Sequence, residues 1–333
     1  MKNEANRKSR TIVVICGPTA VGKTKFAIRV AEDTGGEIVS CDSMQLYQYL
    51  DIGSAKPTPE EQARAKHYLV GEIDPRVPFS AAEYRTRARA AIEHIFSLGK
   101  LPIVAGGTGL YLNSLLFDMD FSAPPRDDGF RDELCQIAEE KGPEYLHNLL
   151  SAQDPAAAAR IHPNNIRKVV RALEILKSGS PLKDISRDPQ RTKDYRVILT
   201  GLTRQRQELY DRIDRRVDLL TEAGLENEVR SLLNMGLTLD DISMKGIGYK
   251  EIIGYLNGEY PWEEAVRLIK RNTRRFAKRQ MTWFRRYKEM KWFNISAYAS
   301  ADECLQALER YIRSELNNAE LSEYETKENG IEV

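Results

Sequence analysis

Residues 17–24, GPTAVGKT, have the types and spacing to hold a chain of phosphates. They match G-x-x-x-x-G-K-[ST], follow the apolar run TIVVIC and precede the helix-like KFAIRVAEDTG. In that context the backbone of Gly17, Pro18, Thr19, Ala20, Val21 and Gly22 would wrap phosphate oxygens at a helix N-terminus. Lys23 would neutralise phosphate charge. Thr24 would hold Mg²⁺, directly or through a water. Such a loop identifies phosphates, not a nucleoside.

A nucleotide triphosphatase normally adds an acid at the end of another apolar strand. The run LPIVAG has no acid at its end and continues into GTGLY. Gly106, Gly107 and Gly109 there suggest close backbone approach to a ligand, with a tight strand-to-helix turn as the competing reading. Thr108 offers a hydroxyl between them. The acid stands elsewhere: Asp42 ends the run EIVSC. Ligands of open parallel sheets bind at the carboxyl ends of strands, so Asp42 and the phosphate loop are expected on one edge. Ser43 and Gln45 follow, with polar groups suited to a base edge. A helix N-cap is an equal alternative for Asp42 on local sequence alone.

A second chemical feature is a cationic helix. Ala265 to Lys288 carries ten Lys or Arg and no Asp or Glu. Arg267, Lys270, Arg271, Arg274, Arg275 and Lys278 recur at helical spacing on one face, while Ile269, Thr273, Phe276 and Gln280 lie towards another. Neighbouring cations repel. With no acid close in sequence, this face is expected to meet a polyanion such as a nucleic-acid backbone. Arg160, Arg167, Lys168 and Arg171 form a second basic group.

The elements that must position these residues are legible in outline. Runs 11–16, 37–41, 101–106 and 195–202 read as buried parallel strands alternating with helices, an α/β arrangement. The expected fold class is a P-loop NTPase-like parallel sheet core, 11–121 and 195–317, with C-terminal helices. Residues 122–194 contain no strand-like run and read as a helical insertion. Residues 318–333 are acidic, poor in core residues and expected to be disordered.

Composition narrows the class. The 333 residues are 41% hydrophobic and 30% charged, with net charge +1. No apolar run approaches the about 18 residues of a membrane helix, and the polar start MKNEANRKSR lacks a signal-peptide core. A cytoplasmic protein without membrane contact is expected. Cys16, Cys41, Cys135 and Cys304 form no C-x-x-C pair, and the four histidines are dispersed. Reduced, mostly buried thiols are expected, not a zinc site.

The chain resembles the tRNA dimethylallyltransferases along nearly its whole length. The matching residues are GPTAVGKT, DSMQLY, DIGSAKP, GGTGLYL, ARIHPNN with RALEI, KGIGYKE and AKRQMTWFR. It departs from that family after HPN, where NIRK stands, and at Met44, where small residues are common; the zinc-finger extension of eukaryotic members is absent. The resemblance implies that dimethylallyl diphosphate occupies the loop, and that the prenyl group goes to N6 of adenosine 37 in tRNAs reading codons that begin with U. It implies catalytic roles for Asp42, Lys23 and Arg216, the last as a diphosphate ligand in DRIDRRV. It implies tRNA contacts at Asp42, Ser43, Met44, Gln45 and Thr108, at Arg131, Arg167, Lys168 and Arg171 of the insertion, and at Arg274, Arg275, Lys278 and Arg279. The implied cofactor is Mg²⁺, the partners are dimethylallyl diphosphate and the tRNA anticodon stem-loop, and a monomer is expected. Three rivals remain open on the residues alone. One is a prenyltransferase acting on free AMP or ADP, another a P-loop small-molecule kinase, and the third a non-catalytic RNA-binding protein.

Overall fold

A computed structural model describes residues 10–119, 121, 127–180 and 190–328. The chain divides into two compact units, Met1–Leu116 with Thr192–Val333, and Phe117–Arg191.

The first unit is built on six parallel strands in the order β3-β2-β4-β1-β5-β6. They are β1 (Thr11–Cys16), β2 (Glu37–Cys41), β3 (His67–Tyr68), β4 (Pro102–Gly106), β5 (Arg196–Thr203) and β6 (Lys291–Asn294). The four long apolar runs became β1, β2, β4 and β5. The edge strands β3 and β6 were not expected; two and four residues are too short to show a pattern. Every residue of β1 is buried, as a strand covered by helices on both faces must be. The register levels the strand ends. Cys16 pairs with Gly106 and Gly201, and Gly106 also pairs with Cys41. The residues just past β1, β2 and β4 therefore emerge side by side.

Helices α1 (Lys23–Thr34), α2 (Pro59–Arg64) and α3 (Ala81–Ser97) connect the first four strands, and α4 (Gly109–Leu116) follows β4. Phe26, Ile28, Val30 and Ala31 of α1 are buried against the sheet. Each large apolar side chain so buried contributes about 1.5–3 kcal/mol.

The second unit is helical: α5 (Asp128–Lys141), α6 (Pro143–Gln153), α7 (Pro155–Ala158) and α8 (Ile166–Lys177). Leu134, Leu146, Leu150, Val169 and Leu173 form its separate core. Its bounds, 117 and 191, differ from the expected 122 and 194. The proline-containing start of that expectation, 122–126, lies outside the described residues.

Beyond β5 come α9 (Arg206–Glu222), α10 (Leu225–Asn234), α11 (Tyr249–Leu256), the 23-residue basic helix α12 (Trp262–Phe284) and α13 (Ala301–Glu328). Helix α13 runs past residue 318, where the acidic tail was expected to begin, as far as Glu328. Its Ala, Glu, Leu and Lys residues favour helix, and extending a helix costs far less than starting one. Residues 329–333 lie outside the described residues.

Candidate active site

The phosphate loop leaves β1 at Cys16 and enters α1 at Lys23. Gly17 has φ +153°, and a Cβ there would stand 2.6 Å from the Leu202 carbonyl oxygen. Gly22 has φ +113° and Ala20 has φ +62°. These left-handed turns coil the chain tightly. Cations then tie the loop carbonyls: Lys23 Nζ donates to Pro18 O at 2.9 Å, Arg212 Nε to Ala20 O at 3.0 Å and Arg204 Nε to Val21 O at 3.2 Å. No side chain caps the N-terminus of α1, and its first turn holds no acid. The free N–H groups and positive dipole end there suit an anion.

Asp42 stands one residue past β2. Its Oδ1 accepts from Met44 N at 2.9 Å and, more weakly, from Gln45 N at 3.4 Å. The N-cap-like reading of Asp42 is thus realised by one carboxylate oxygen. Across from it, Thr108 Oγ1 accepts from Ser43 N at 3.0 Å, and Cys41 O accepts from Gly107 N and Thr108 N, each at 3.1 Å. Gln45, expected to face a base edge, makes bonds within the protein. Its Nε2 donates to Ala55 O at 3.0 Å and to Ser54 O at 3.4 Å, holding the DIGSAKP loop.

Two cavities meet at Asp42. One, of about 580 Å³, is lined by Lys23, Thr24, Ser40, Lys56, Ala105 and other residues of the phosphate loop and sheet edge. The other, of about 340 Å³, is lined by Met44, Thr108, Val217, Leu225, Ile247, Ile269 and Arg279 among others. Thr19, Asp42, Ser54, Arg216 and Phe276 line both. The first is the cationic side, bordered by the phosphate loop. The second is the more apolar side, broad enough for a flat ring.

The electrostatics of the first cavity favour an anion. Burial pushes the Lys23 ammonium down to about 8; the Asp42 carboxylate opposes that and Arg216 adds to it. Burial likewise lowers the Arg216 guanidinium, again opposed by Asp42. Two partly buried cations that repel each other, with the Asp42 carboxylate acting on both, are what a bound diphosphate would relieve. In contrast, burial drives the Cys16 thiol well above its ordinary range and Cys41 up to about 12, so neither is a nucleophile near neutrality.

At the GGTG glycines the close approach is made by protein on the side a Cβ would occupy, while Gly106 also borders the first cavity. A Cβ on Gly106 would stand 2.1 Å from Cys41 O, on Gly107 2.4 Å from Gln280 Nε2, and on Gly109 2.3 Å from the Trp283 ring. Gln280 and Trp283 belong to α12, so the glycines let this helix lie directly on the sheet edge.

Comparison with known proteins agrees with this architecture. The IPP transferase family model matches residues 45–287. A tRNA dimethylallyltransferase of Clostridioides difficile is 48% identical over 309 residues, 93% of this chain and 99% of its own. The chain belongs to the IPP transferase family. A full-length tRNA isopentenylpyrophosphate transferase structure from Bacillus halodurans aligns with a TM-score of 0.71 at 41% identity, covering 95% of this chain and 99% of its own. A eukaryotic dimethylallyltransferase seen acting on tRNA aligns with a TM-score of 0.72 at 28% identity, covering 86% and 74%.

Within this IPP transferase, α12 differs from the uncompensated cationic face expected of it. Lys270 pairs with Asp218 at 2.6 Å, Arg274 with Asp214, and Arg267 with Glu264 at 2.6 Å. Two of those acids come from α9, far away in sequence. Arg275, Lys278 and Arg279 are exposed, and no carboxylate pairs with them among the described residues. In the insertion, Arg131 and Arg171 both bind Glu174, which is 3% exposed. Arg167 and Lys168 are exposed on α8.

Sequence reasoning missed two positioning groups. The Glu228 carboxylate receives Asp51 N, Ile52 N and Gly53 N at 2.8, 2.6 and 2.9 Å, and Tyr249 Oη–H at 2.8 Å. It thereby joins DIGSAKP to KGIGYKE. Gln280 is the other. Nothing in local composition marks either one; Gln280 falls inside AKRQMTWFR, whereas Glu228 lies outside every motif quoted above.

Proposed function

We propose that this chain transfers the dimethylallyl group of dimethylallyl diphosphate to N6 of adenosine 37, beside the anticodon, in tRNAs reading codons that begin with U. The observation that carries the reading is the meeting of a cationic cavity and a more apolar one at Asp42 and Arg216. The names of the relatives supply the substrates.

The allylic C–O bond breaks as negative charge builds on diphosphate and positive charge on carbon. Lys23, Arg216 and the N–H groups of the first turn of α1 stabilise the departing anion. The adenine amine, seated in the second cavity, attacks the allylic carbon. The amine is a very weak acid, so its proton leaves as or after the C–N bond forms, and Asp42 accepts it. An adenosine stacked in its loop must be extruded to reach Asp42. The loop therefore holds a diphosphate that departs, where a kinase would hold a phosphoryl donor.

Mg²⁺ fits the residues present. Among the described residues no group of three His, Cys, Asp or Glu could cage a metal. Thr24 lines the diphosphate cavity, and Mg²⁺ commonly takes few protein ligands alongside phosphate oxygens and waters. Bound there, it would neutralise diphosphate charge. Arg275, Lys278 and Arg279, with Arg167 and Lys168 of the insertion, would contact the RNA backbone. The proposed working state is a monomer. No helix among the described residues is long and apolar enough to cross a membrane; the proposed place of action is the cytoplasm.

The test is an acceptor comparison. With labelled dimethylallyl diphosphate, tRNA should gain label and AMP should not. With γ-labelled ATP, no small acceptor should gain phosphate. Label in AMP instead of tRNA would move the chain to the free-nucleotide class, and phosphate transfer would make it a kinase.

A further inference from the structure

Gln280 makes two hydrogen bonds that fix its amide in one orientation. Its Oε1 accepts from Thr19 N at 2.9 Å, and its Nε2 donates to Gly107 O at 2.9 Å. Reversing the amide would face donor to donor and acceptor to acceptor. Gln280 is 6% exposed and borders the first cavity; its bond to Gly107 O is buried and its bond to Thr19 N partly so, and losing either would leave a poorly hydrated polar group. Thr19 belongs to the phosphate loop and lines both cavities. Gly107 adjoins Thr108, whose hydroxyl holds Ser43 N beside Asp42. One side chain from α12 thus clamps the diphosphate loop to the turn that sets Asp42.

We propose that Gln280 is a positioning residue for the transfer reaction, fixing the phosphate loop relative to Asp42 and withdrawing the Thr19 N–H from the diphosphate. The proposal rests on the reading of the two cavities as donor and acceptor sites. Displacement of reacting groups by about 1 Å is enough to slow a positioned reaction about a hundredfold. The loop carbonyls are held by Lys23, Arg212 and Arg204, but none of these reaches the Gly107–Thr108 turn. Gln280 supplies that link, and the bare Cα of Gly107 makes room for it.

Gly107 gives a second handle from the opposite side. Its backbone is not left-handed. An added Cβ would meet Gln280 Nε2 at 2.4 Å, with its next contacts, Gln280 Cδ and Gly17 O, at 3.5 Å. Gly107→Ala therefore displaces the Gln280 amide and little else.

The experiment is a double-mutant cycle in the full-length protein using Gln280→Met, Gly107→Ala and the pair. Single-turnover transfer from dimethylallyl diphosphate to an anticodon stem-loop RNA is measured at saturating donor and RNA, beside RNA affinity and thermal midpoint. Each single variant is expected to lose about tenfold to hundredfold in rate, with RNA affinity within about twofold. The pair should be no slower than Gln280→Met alone, because the second change removes an interaction already gone. Normal saturated rates with only a lowered midpoint would overturn the proposal and make Gln280 a structural clip. Multiplicative losses would overturn it too, because Gly107 would then act without Gln280. Absence of transfer in the wild-type protein would instead remove the functional reading on which the proposal rests.

Discussion

Lys23 connects the protonation of one side chain to donor binding. Burial depresses its ammonium to about 8, and a bound diphosphate favours the charged form. Below about pH 8 the group is already protonated and affinity is flat. Above it, binding must take up a proton, so affinity should fall by up to about tenfold per pH unit, or about 1.4 kcal/mol. Calorimetric titration of dimethylallyl diphosphate between about pH 7 and pH 9.5 checks this; a profile equally flat in wild type and Lys23→Met would exclude Lys23 as the titrating ligand. For Asp42, the informative change is Asp42→Asn. An amide oxygen still accepts from Met44 N, so the turn survives while the basic charge goes. Single-turnover transfer should drop about 10²–10⁴-fold, with RNA affinity nearly unchanged. Equal losses of affinity and none of rate would make Asp42 a binding residue only.

At the scale of elements, α12 works through both faces. Inward, Gln280 and Trp283 press it onto Gly107 and Gly109. Outward, Arg275, Lys278 and Arg279 stay exposed. The ion pairs of Lys270 and Arg274 with α9 move the expected RNA footprint towards the C-terminal half of the helix. Replacing Arg275 and Lys278 together by Gln should flatten the log–log salt dependence of tRNA binding by about one to two units, about one per phosphate contact. Arg274→Gln should flatten it less, because its guanidinium is held by Asp214. Fluorescence titrations of labelled tRNA over a range of salt measure these slopes; an unchanged slope in the double variant would remove α12 from the RNA interface. This helix also marks what the sequence can carry. Its charge and period were legible locally. Its partners were not, because Asp214 and Asp218 lie over 50 residues away and pairing depends on how α9 packs.

At the scale of the molecule, the same division holds. The phosphate loop, Asp42 and the four long strands were legible because each rests on a contiguous run or a local spacing. Strands β3 and β6, the Glu228 anchor and the Gln280 clamp were not, because each is made by segments that only folding brings together. The insertion has its own buried charge. Burial would raise the Glu174 carboxyl, but hydrogen bonds from Arg131, Arg171 and Asp127 N overcome that and hold it at about 2. A depressed carboxyl stabilises the fold above its unfolded value and loses that contribution as pH falls towards about 2. Glu174→Gln should cost about 3 kcal/mol or more at neutral pH, since two guanidinium groups lose their carboxylate. Hydrogen exchange of α5 and α8 reads this directly, and unchanged protection would contradict the assignment.

The central claim is that the adenine amine meets the allylic carbon at Asp42. It is tested most directly by single-turnover label transfer from dimethylallyl diphosphate to two anticodon stem-loop RNAs. One carries adenosine at position 37 and the other inosine, which lacks the exocyclic amine. The account predicts label in the adenosine RNA alone, lost in Asp42→Asn. Equal labelling of both RNAs, or labelling of AMP in place of either, would contradict it.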